Sequence, residues 1–270
     1  MHRFDFGNTE KELVDMAISL EKSKAYSVLL TYSFNSPDYI PFLPSMIKST
    51  NNLKFMIALR PYTLSPEYAI RIFETIKNNY GDRLTFNLVA GKMVEHEEQN
   101  AIEMYNLDKS LMETVDKRIE FSDKWADKFF SFYNKTKLTP PISYTIGNSP
   151  ITLKLGEKWT DYTIIHEGRI KESIGKAKDT KFVLTIDPLI VETKEEVEQN
   201  REYHYQSWNT NSGEKPFILE KQNHSIFGNM QEVKQQIKDI SKKYGIEDFM
   251  IVTSQRDIST LLKLMEEMSD

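Results

Sequence analysis

The stretch Leu53-Lys54-Phe55-Met56-Ile57-Ala58-Leu59-Arg60-Pro61 contains a continuous apolar run that stops at Arg60-Pro61. A run of this kind is typical of a strand buried on both faces of a parallel sheet, and the residue before a proline favours extended backbone. A pattern of apolar residues at helical spacing follows and ends near Gly81, and a second apolar run covers residues 85–90. The region around this stretch therefore predicts strands that alternate with helices.

The same alternation extends over the whole chain. Eight apolar runs are separated by helical patterns, and they cover residues 3–6, 27–31, 55–59, 85–90, 142–146, 161–165, 182–186 and 249–252. Eight such units predict a (β/α)8 TIM barrel of the α/β class, and a chain of 270 residues is normal for one barrel domain, here residues 1–270. A polar insertion, residues 198–224, precedes the eighth strand and is interpreted either as a lid or as a disordered surface loop.

The composition excludes several classes of function. The net charge is −5, with no stripe of lysine or arginine, so nucleic acid and anionic membranes are poor partners. The absence of cysteine excludes disulfides, thiolate metal ligands and a cysteine nucleophile, and is consistent with a reducing compartment. No apolar run approaches the length that spans a membrane, so we expect a cytoplasmic protein.

Familiar catalytic and metal-binding motifs are missing from the sequence. His96 stands among three glutamates but has no second histidine at ligand spacing, so no metal site is predicted. There is no nucleophile elbow, phosphate-binding P-loop or Gly-x-Gly-x-x-Gly fingerprint, which argues against serine hydrolases, nucleotide hydrolases and Rossmann enzymes. The function must therefore be sought at the barrel itself.

Several segments in a fixed order resemble the bacterial luciferase-like flavin monooxygenases, and the alkanesulfonate monooxygenase branch in particular. The segments are Leu53 to Pro61, Ser65-Pro66, Gly81 to Leu84 and Phe86 to Gly91, with weaker matches at Gly147 to Ser149, Ile226 to Asn229 and Gly245 to Phe249. Together they cover about half to two thirds of the chain. The resemblance implies a luciferase-like barrel that oxidises a small organic substrate with O2 and reduced FMN, which a separate flavin reductase supplies in a transient encounter.

Two alternatives remain open under the same fold. One is an oxidoreductase that uses a deazaflavin and transfers hydride without oxygen. The other is a flavin-binding paralogue without turnover. Members of the family often form homodimers, and the aromatic residues Phe129, Phe130 and Phe132 suit either a dimer interface or the core of the chain.

The resemblance also assigns cofactor-binding residues. Asn87 matches a position beside the isoalloxazine ring, and it lies at the carboxyl end of a strand, where barrel active sites are built. Ala90 and Gly91 at the same strand end, and Thr31 at the end of the second strand, are assigned to the cofactor with it. Without the resemblance, Asn87 would be interpreted as a residue that satisfies loop backbone.

The FMN phosphate is assigned by the resemblance to Gly147, Asn148 and Ser149. These residues follow the fifth strand and precede a helical pattern, so free backbone N–H groups at a helix N-terminus could receive an anion. Taken alone, a Gly-Asn-Ser sequence is a common turn and helix cap.

Tyr32 and His166 are the candidate catalytic residues. Tyr32 follows the second strand, near the expected reacting edge of the flavin, where it could donate a hydrogen bond or a proton. His166 follows the sixth predicted strand and is placed to act as an acid or a base. The structural alternatives are a packing tyrosine with a wet hydroxyl and a solvated loop histidine.

The sequence departs from the alkanesulfonate branch at the seventh predicted strand. That branch has an arginine and a histidine where this chain has Thr185 and Asp187, so a sulfonate substrate would lose its expected cation. This departure suits a specialised monooxygenase with an unusual substrate, such as one of secondary metabolism, and it also suits the deazaflavin-dependent oxidoreductase and the paralogue without turnover.

Overall fold

The computed structural model describes residues 9–31, 38–90, 102–103, 114–166, 169–177, 180–191, 193, 195–196, 226–252 and 258–269. The strands are β1 (Ser27–Leu30), β2 (Lys54–Leu59), β3 (Leu84–Leu88), β4 (Ser143–Ile146), β5 (Tyr162–His166), β6 (Lys181–Ile186), β7 (Leu189–Ile190), β8 (Phe227–Gly228) and β9 (Asp248–Ile251). The helices are α1 (Glu10–Lys22), α2 (Leu43–Lys48), α3 (Pro66–Tyr80), α4 (Val115–Thr136), α5 (Pro150–Trp159), α6 (Ile170–Lys176), α7 (Met230–Tyr244) and α8 (Ile258–Met268). A 3-10 turn, Ile40–Phe42, leads into α2.

Seven of the strands form one curled parallel sheet in the order β1-β2-β3-β4-β5-β6-β9. Strands β7 and β8 form a small separate parallel pair. The seven strands coincide with the second to eighth strands that the sequence predicts, which are therefore confirmed. The first predicted strand, residues 3–6, and the insertion at residues 198–224 lie outside the described residues.

Side chains alternate between two apolar environments along each strand. Phe86 and Leu88 belong to the large cluster between the sheet and its helices. The opposite face holds a separate cluster inside the barrel, which contains Met56, Tyr144 and Ile164. A sheet that is buried on both faces needs the continuous apolar runs that the sequence shows.

Five of the helices, α1, α3, α4, α5 and α7, begin at a side chain that accepts one of their first backbone N–H groups. Thr9 and Glu12 form a reciprocal capping box at the start of α1, the contact that a threonine followed three residues later by a glutamate favours. Asn229 and Glu232 form a second capping box at α7. These local contacts help to fix where α1 and α7 start.

The aromatic residues of α4 lie in the core of the chain. Phe129 is fully buried, and its ring packs against Phe86 at 5.2 Å and against Trp125 at 5.1 Å between centroids. Phe130 stacks on Trp159 at 5.8 Å. Of the two interpretations of this aromatic face, core packing within the chain is the one that the structure shows.

Within the described part of the chain, no helix combines the length and the apolar character that crossing a membrane requires.

Candidate active site

The carboxyl ends of the parallel strands bring several of the predicted site residues, and Thr185 with them, to one end of the sheet. Asn87 is the fourth of five residues in β3, His166 is the last residue of β5, and Thr185 is the fifth of six in β6. Gly147 follows β4 directly, and Thr31 follows β1. We call these strand ends the C-terminal rim. In barrel enzymes this is the side on which active sites are built.

Asn87 points into the barrel. Its neighbours Phe86 and Leu88 pack against the helices, and Asn87 is aligned with Ala58 on one side and with Tyr144 on the other. Only 1% of its surface is exposed, and its side-chain oxygen has no hydrogen-bond partner among the described residues. A buried carbonyl without a partner is rare in folded proteins, so this oxygen is suited to accept a hydrogen bond from a bound molecule.

Thr185 on β6 is a second inward-facing residue with a buried polar atom that lacks a described partner. Its alignment with His166 and Met250, and the position of Val183 in the inner cluster, place it on the inner face of β6. The residue is 8% exposed, and its hydroxyl is buried without a partner in the described structure. Sequence reasoning treated Thr185 only as a departure from the alkanesulfonate branch. The alternation of residues 182–186 is the signal that could have identified its inward direction.

His166 lies in the strand and not in the loop after it. It is the last residue of β5, is partly buried, and shares the inner face with Ile164. Its backbone N–H donates to the side-chain oxygen of Asn148 at 3.2 Å. His166 is therefore the last residue of a strand at the rim, and its interpretation as a solvated loop residue is wrong.

The loop between β4 and α5 requires a glycine. Gly147 has a φ of +146°, and a Cβ atom there would lie 2.8 Å from Cγ2 of Thr152. Its N–H is already donated to the carbonyl of Ile164 at 3.0 Å, so it extends the β4–β5 pairing. Gly147 thus shapes the turn, and its own N–H is not available to a phosphate.

The side chains of Asn148 and Ser149 are also engaged within the protein. Asn148 donates to Oγ of Ser173 at 2.8 Å in addition to its bond with His166. Ser149 is the N-cap of α5 and accepts the N–H of Thr152 at 3.2 Å. Both side chains therefore have the structural roles of a turn and a helix cap.

An anion at this loop would have to be held by the main chain. Pro150, the first residue of α5, has no N–H, so Ile151 is the residue of the first turn whose N–H can face a ligand. The N–H groups of Asn148 and Ser149 precede it in the loop. The phosphate assignment remains a prediction, and it now depends on backbone donors.

The remaining predicted site residues fall in different places. Ala90 is buried at 1% exposure within the cluster on the helix side of the sheet. Thr31 borders a cavity between the outer strands β1 and β9. Tyr32 and Gly91 lie outside the described residues.

The cavity has a volume of about 430 Å³ and runs along β1 and β9, with α1 and α8 behind them. The cavity reaches the rim at Thr31 and Val252. At its other end, the rings of Tyr144 and Tyr162 stack with their centroids 5.1 Å apart. Burial raises the pKa of both phenols, and the nearby Asp248 adds to this effect. Both tyrosines are therefore neutral packing groups at the end of the barrel away from the rim.

No protein-family model matches the chain. Solved structures with the same fold include an F420-dependent secondary alcohol dehydrogenase in complex with an F420-acetone adduct, with a TM-score of 0.73 and 14% identity over 96% of this chain and 94% of that one. A long-chain alkane monooxygenase matches with a TM-score of 0.73 and 13% identity over 95% of this chain and 83% of that one. A riboflavin lyase with modified FMN and riboflavin matches with a TM-score of 0.72 and 12% identity over 97% and 83% of the two chains.

These neighbours define the class of fold. The chain shares its parallel α/β architecture with these proteins, so the fold class predicted from the sequence is confirmed. At this level of identity the similarity establishes the fold, and the chemistry must be argued from the residues at the rim.

Proposed function

We propose that this protein is an oxidoreductase that binds a flavin-type cofactor at the C-terminal rim. The observation that carries the proposal is the side-chain oxygen of Asn87, which is buried at the inner face of the rim without a partner in the described structure. A flavin or deazaflavin ring offers N–H donors that suit such an oxygen. The similarity in fold to proteins described with F420 and with modified FMN supports the same class of cofactor.

The residues at the rim fit such a group. Asn87 would accept a hydrogen bond from the ring, and the backbone N–H groups of Asn148, Ser149 and Ile151 would hold its phosphate. When bound, the cofactor supplies the redox chemistry, and the protein supplies binding, orientation and exclusion of water. His166 is the group at this rim that can hold or move a proton, because histidine is the commonest general acid or base. Tyr32 is proposed from the sequence for the same task.

Within this class we propose a two-component monooxygenase that takes reduced FMN from a separate reductase and oxidises a small organic molecule with O2. The sequence resemblance to flavin monooxygenases supports the proposal of a monooxygenase, as does the similarity in fold to a long-chain alkane monooxygenase. Thr185 is uncharged at the position where the alkanesulfonate branch has an arginine, which favours a neutral substrate over a sulfonate.

A deazaflavin-dependent oxidoreductase is the second candidate. The similarity in fold to an F420-dependent secondary alcohol dehydrogenase in complex with an F420-acetone adduct supports it. The two candidates would use the same rim and differ in the acceptor of the electrons, which is oxygen in the first and an organic substrate in the second.

The test is an anaerobic titration of the purified protein with reduced FMN and, in parallel, with coenzyme F420, followed by admission of oxygen. Free reduced FMN also reacts with oxygen, so a titration without protein is the control. Binding of FMN with an altered rate of oxygen consumption supports the monooxygenase, and preferential binding of F420 supports the second candidate. FMN binding with no effect on oxygen consumption would indicate a non-catalytic flavin carrier. The absence of binding to either cofactor would reject the proposal.

A further inference from the structure

Thr185 is a buried polar residue at the rim whose lack of charge has been considered above, but whose hydroxyl has not been assigned a contact. Its hydroxyl lies on the inner face of β6, aligned with His166 of β5. The oxygen is shielded from solvent and has no hydrogen-bond partner among the described residues. A valine has almost the same shape and would avoid the cost of burying an unbonded hydroxyl, so packing alone does not explain a threonine here.

The position of Thr185 relative to Asn87 limits what the hydroxyl can contact. Each residue is the next-to-last in its strand, and both side chains face the interior of the barrel. Two strands, β4 and β5, lie between β3 and β6 in the curled sheet. A planar ring that enters at the rim and reaches Asn87 is therefore flanked by β6 on its other side.

We infer that the hydroxyl of Thr185 is a second hydrogen-bonding contact for the ring of the bound flavin-type cofactor, opposite Asn87. The inference rests on the proposed function and names a further binding residue for the same site. A hydroxyl can donate to a ring carbonyl or accept from a ring N–H, groups that flavins and deazaflavins share. The contact would satisfy the buried hydroxyl only in the loaded protein.

Thr85 provides a matched control. Its hydroxyl is also buried without a partner in the described structure, and its alignment with Met56 places it inside the barrel. However, it is the second residue of β3 and lies two residues further from the rim than Asn87. Thr85→Val therefore removes a similar hydroxyl away from the proposed contact.

The experiment compares wild type, Thr185→Val, Thr185→Ser and Thr85→Val. The Tm of each unliganded protein and the Kd for oxidised FMN and for F420, by quenching of cofactor fluorescence, would be measured. We expect both valine variants to be at least as stable as wild type without ligand, because each loses an unsatisfied buried hydroxyl. Thr185→Val should bind the cofactor roughly 3- to 10-fold more weakly, the effect of one hydrogen bond, while Thr185→Ser and Thr85→Val should bind as wild type does.

The outcomes separate the inference from the function on which it rests. Wild-type affinity in Thr185→Val, or equal weakening in both valine variants, would overturn the contact while leaving the cofactor site in place. Failure of the wild-type protein to bind F420 and FMN, with FMN tested in the oxidised form here and in the reduced form in the anaerobic titration, would reject the proposed function, and the contact with it.

Discussion

The side-chain oxygen of Asn148 accepts the backbone N–H of His166 at 3.2 Å, which ties the loop after β4 to the last residue of β5. The side-chain nitrogen of Asn148 donates to Oγ of the fully buried Ser173 in α6 at 2.8 Å. One amide thus connects the loop after β4, the end of β5 and helix α6. This arrangement makes Asn148 a positioning residue for the backbone that carries His166.

Replacement of Asn148 should therefore weaken the rim. Asn148→Ala leaves the N–H of His166 and the hydroxyl of Ser173 without these partners, so we expect the free energy of unfolding to fall by about 1–3 kcal/mol. Urea denaturation measures the change. Ser173→Ala, which removes one of the two bonds, should cost less, and equal stability of Asn148→Ala and wild type would show that the amide contributes nothing.

Asn87 should affect cofactor binding more than stability. Because its buried oxygen has no partner in the described structure, Asn87→Ala removes a binding group without breaking a bond of that oxygen within the protein. We expect the Kd for the bound cofactor to rise roughly 3- to 10-fold. Fluorescence titration with FMN and F420 measures it, and Asn52→Ala, an exposed site before β2, is the control. Unchanged affinity in Asn87→Ala would remove Asn87 from the site.

Two helical glycines should respond in opposite directions to alanine. A Cβ atom at Gly156 in α5 would lie 2.7 Å from Cγ2 of Thr145 and would also press on Thr163, so Gly156→Ala should destabilise the protein by about 1–3 kcal/mol. A Cβ atom at Gly175 in α6 meets nothing within 4 Å, and Gly175→Ala should stabilise by up to about 1 kcal/mol. Urea titrations of the two variants would decide this, and a neutral Gly156→Ala would mean that α5 can shift away from the sheet.

Glu21 should make stability depend on pH in the acid range. Its carboxylate accepts the backbone N–H groups of Asn51 at 2.8 Å, Asn52 at 2.6 Å and Leu53 at 3.1 Å. Partial burial raises the pKa of Glu21, but these donors and the charge of Arg83 outweigh it, so the pKa lies below its usual value. Because the pKa is lower in the folded state, the stabilisation is complete above the unfolded value of about 4.3 and is lost as the pH falls through the folded value.

Glu21→Gln should accordingly lower stability near neutral pH and have a smaller effect near pH 3. The expected loss is below about 1 kcal/mol, because the carboxylate is only partly buried and solvent screens its charge. Urea denaturation at both pH values measures it, with Glu247→Gln as an exposed control for the lost charge. An effect of the same size at both pH values would show that the charge of Glu21 is not involved.

The sequence by itself determined the positions of the seven strands and of the main helices between them. Burial on both faces of a parallel strand forces a continuous apolar run, as in residues 55–59, and a helix forces apolar spacing near 3.6 residues. Helix starts such as Thr9 with Glu12 are equally local. These features depend on near neighbours in the chain, so composition and spacing reveal them. The same pattern predicted that Asn87 and His166 lie at the ends of strands.

Only the tertiary structure decided what those side chains contact. Asn148 and Ser149 could have faced a phosphate, but their side chains are used by His166, Ser173 and Thr152, at separations of up to 25 residues. Ala90 faces the helices, and Thr185 carries a buried hydroxyl without a described partner. Hydrogen-bond partners depend on which strands and helices become neighbours in space. A local pattern sets the face on which a side chain lies, and the packing of distant elements sets which groups meet it there.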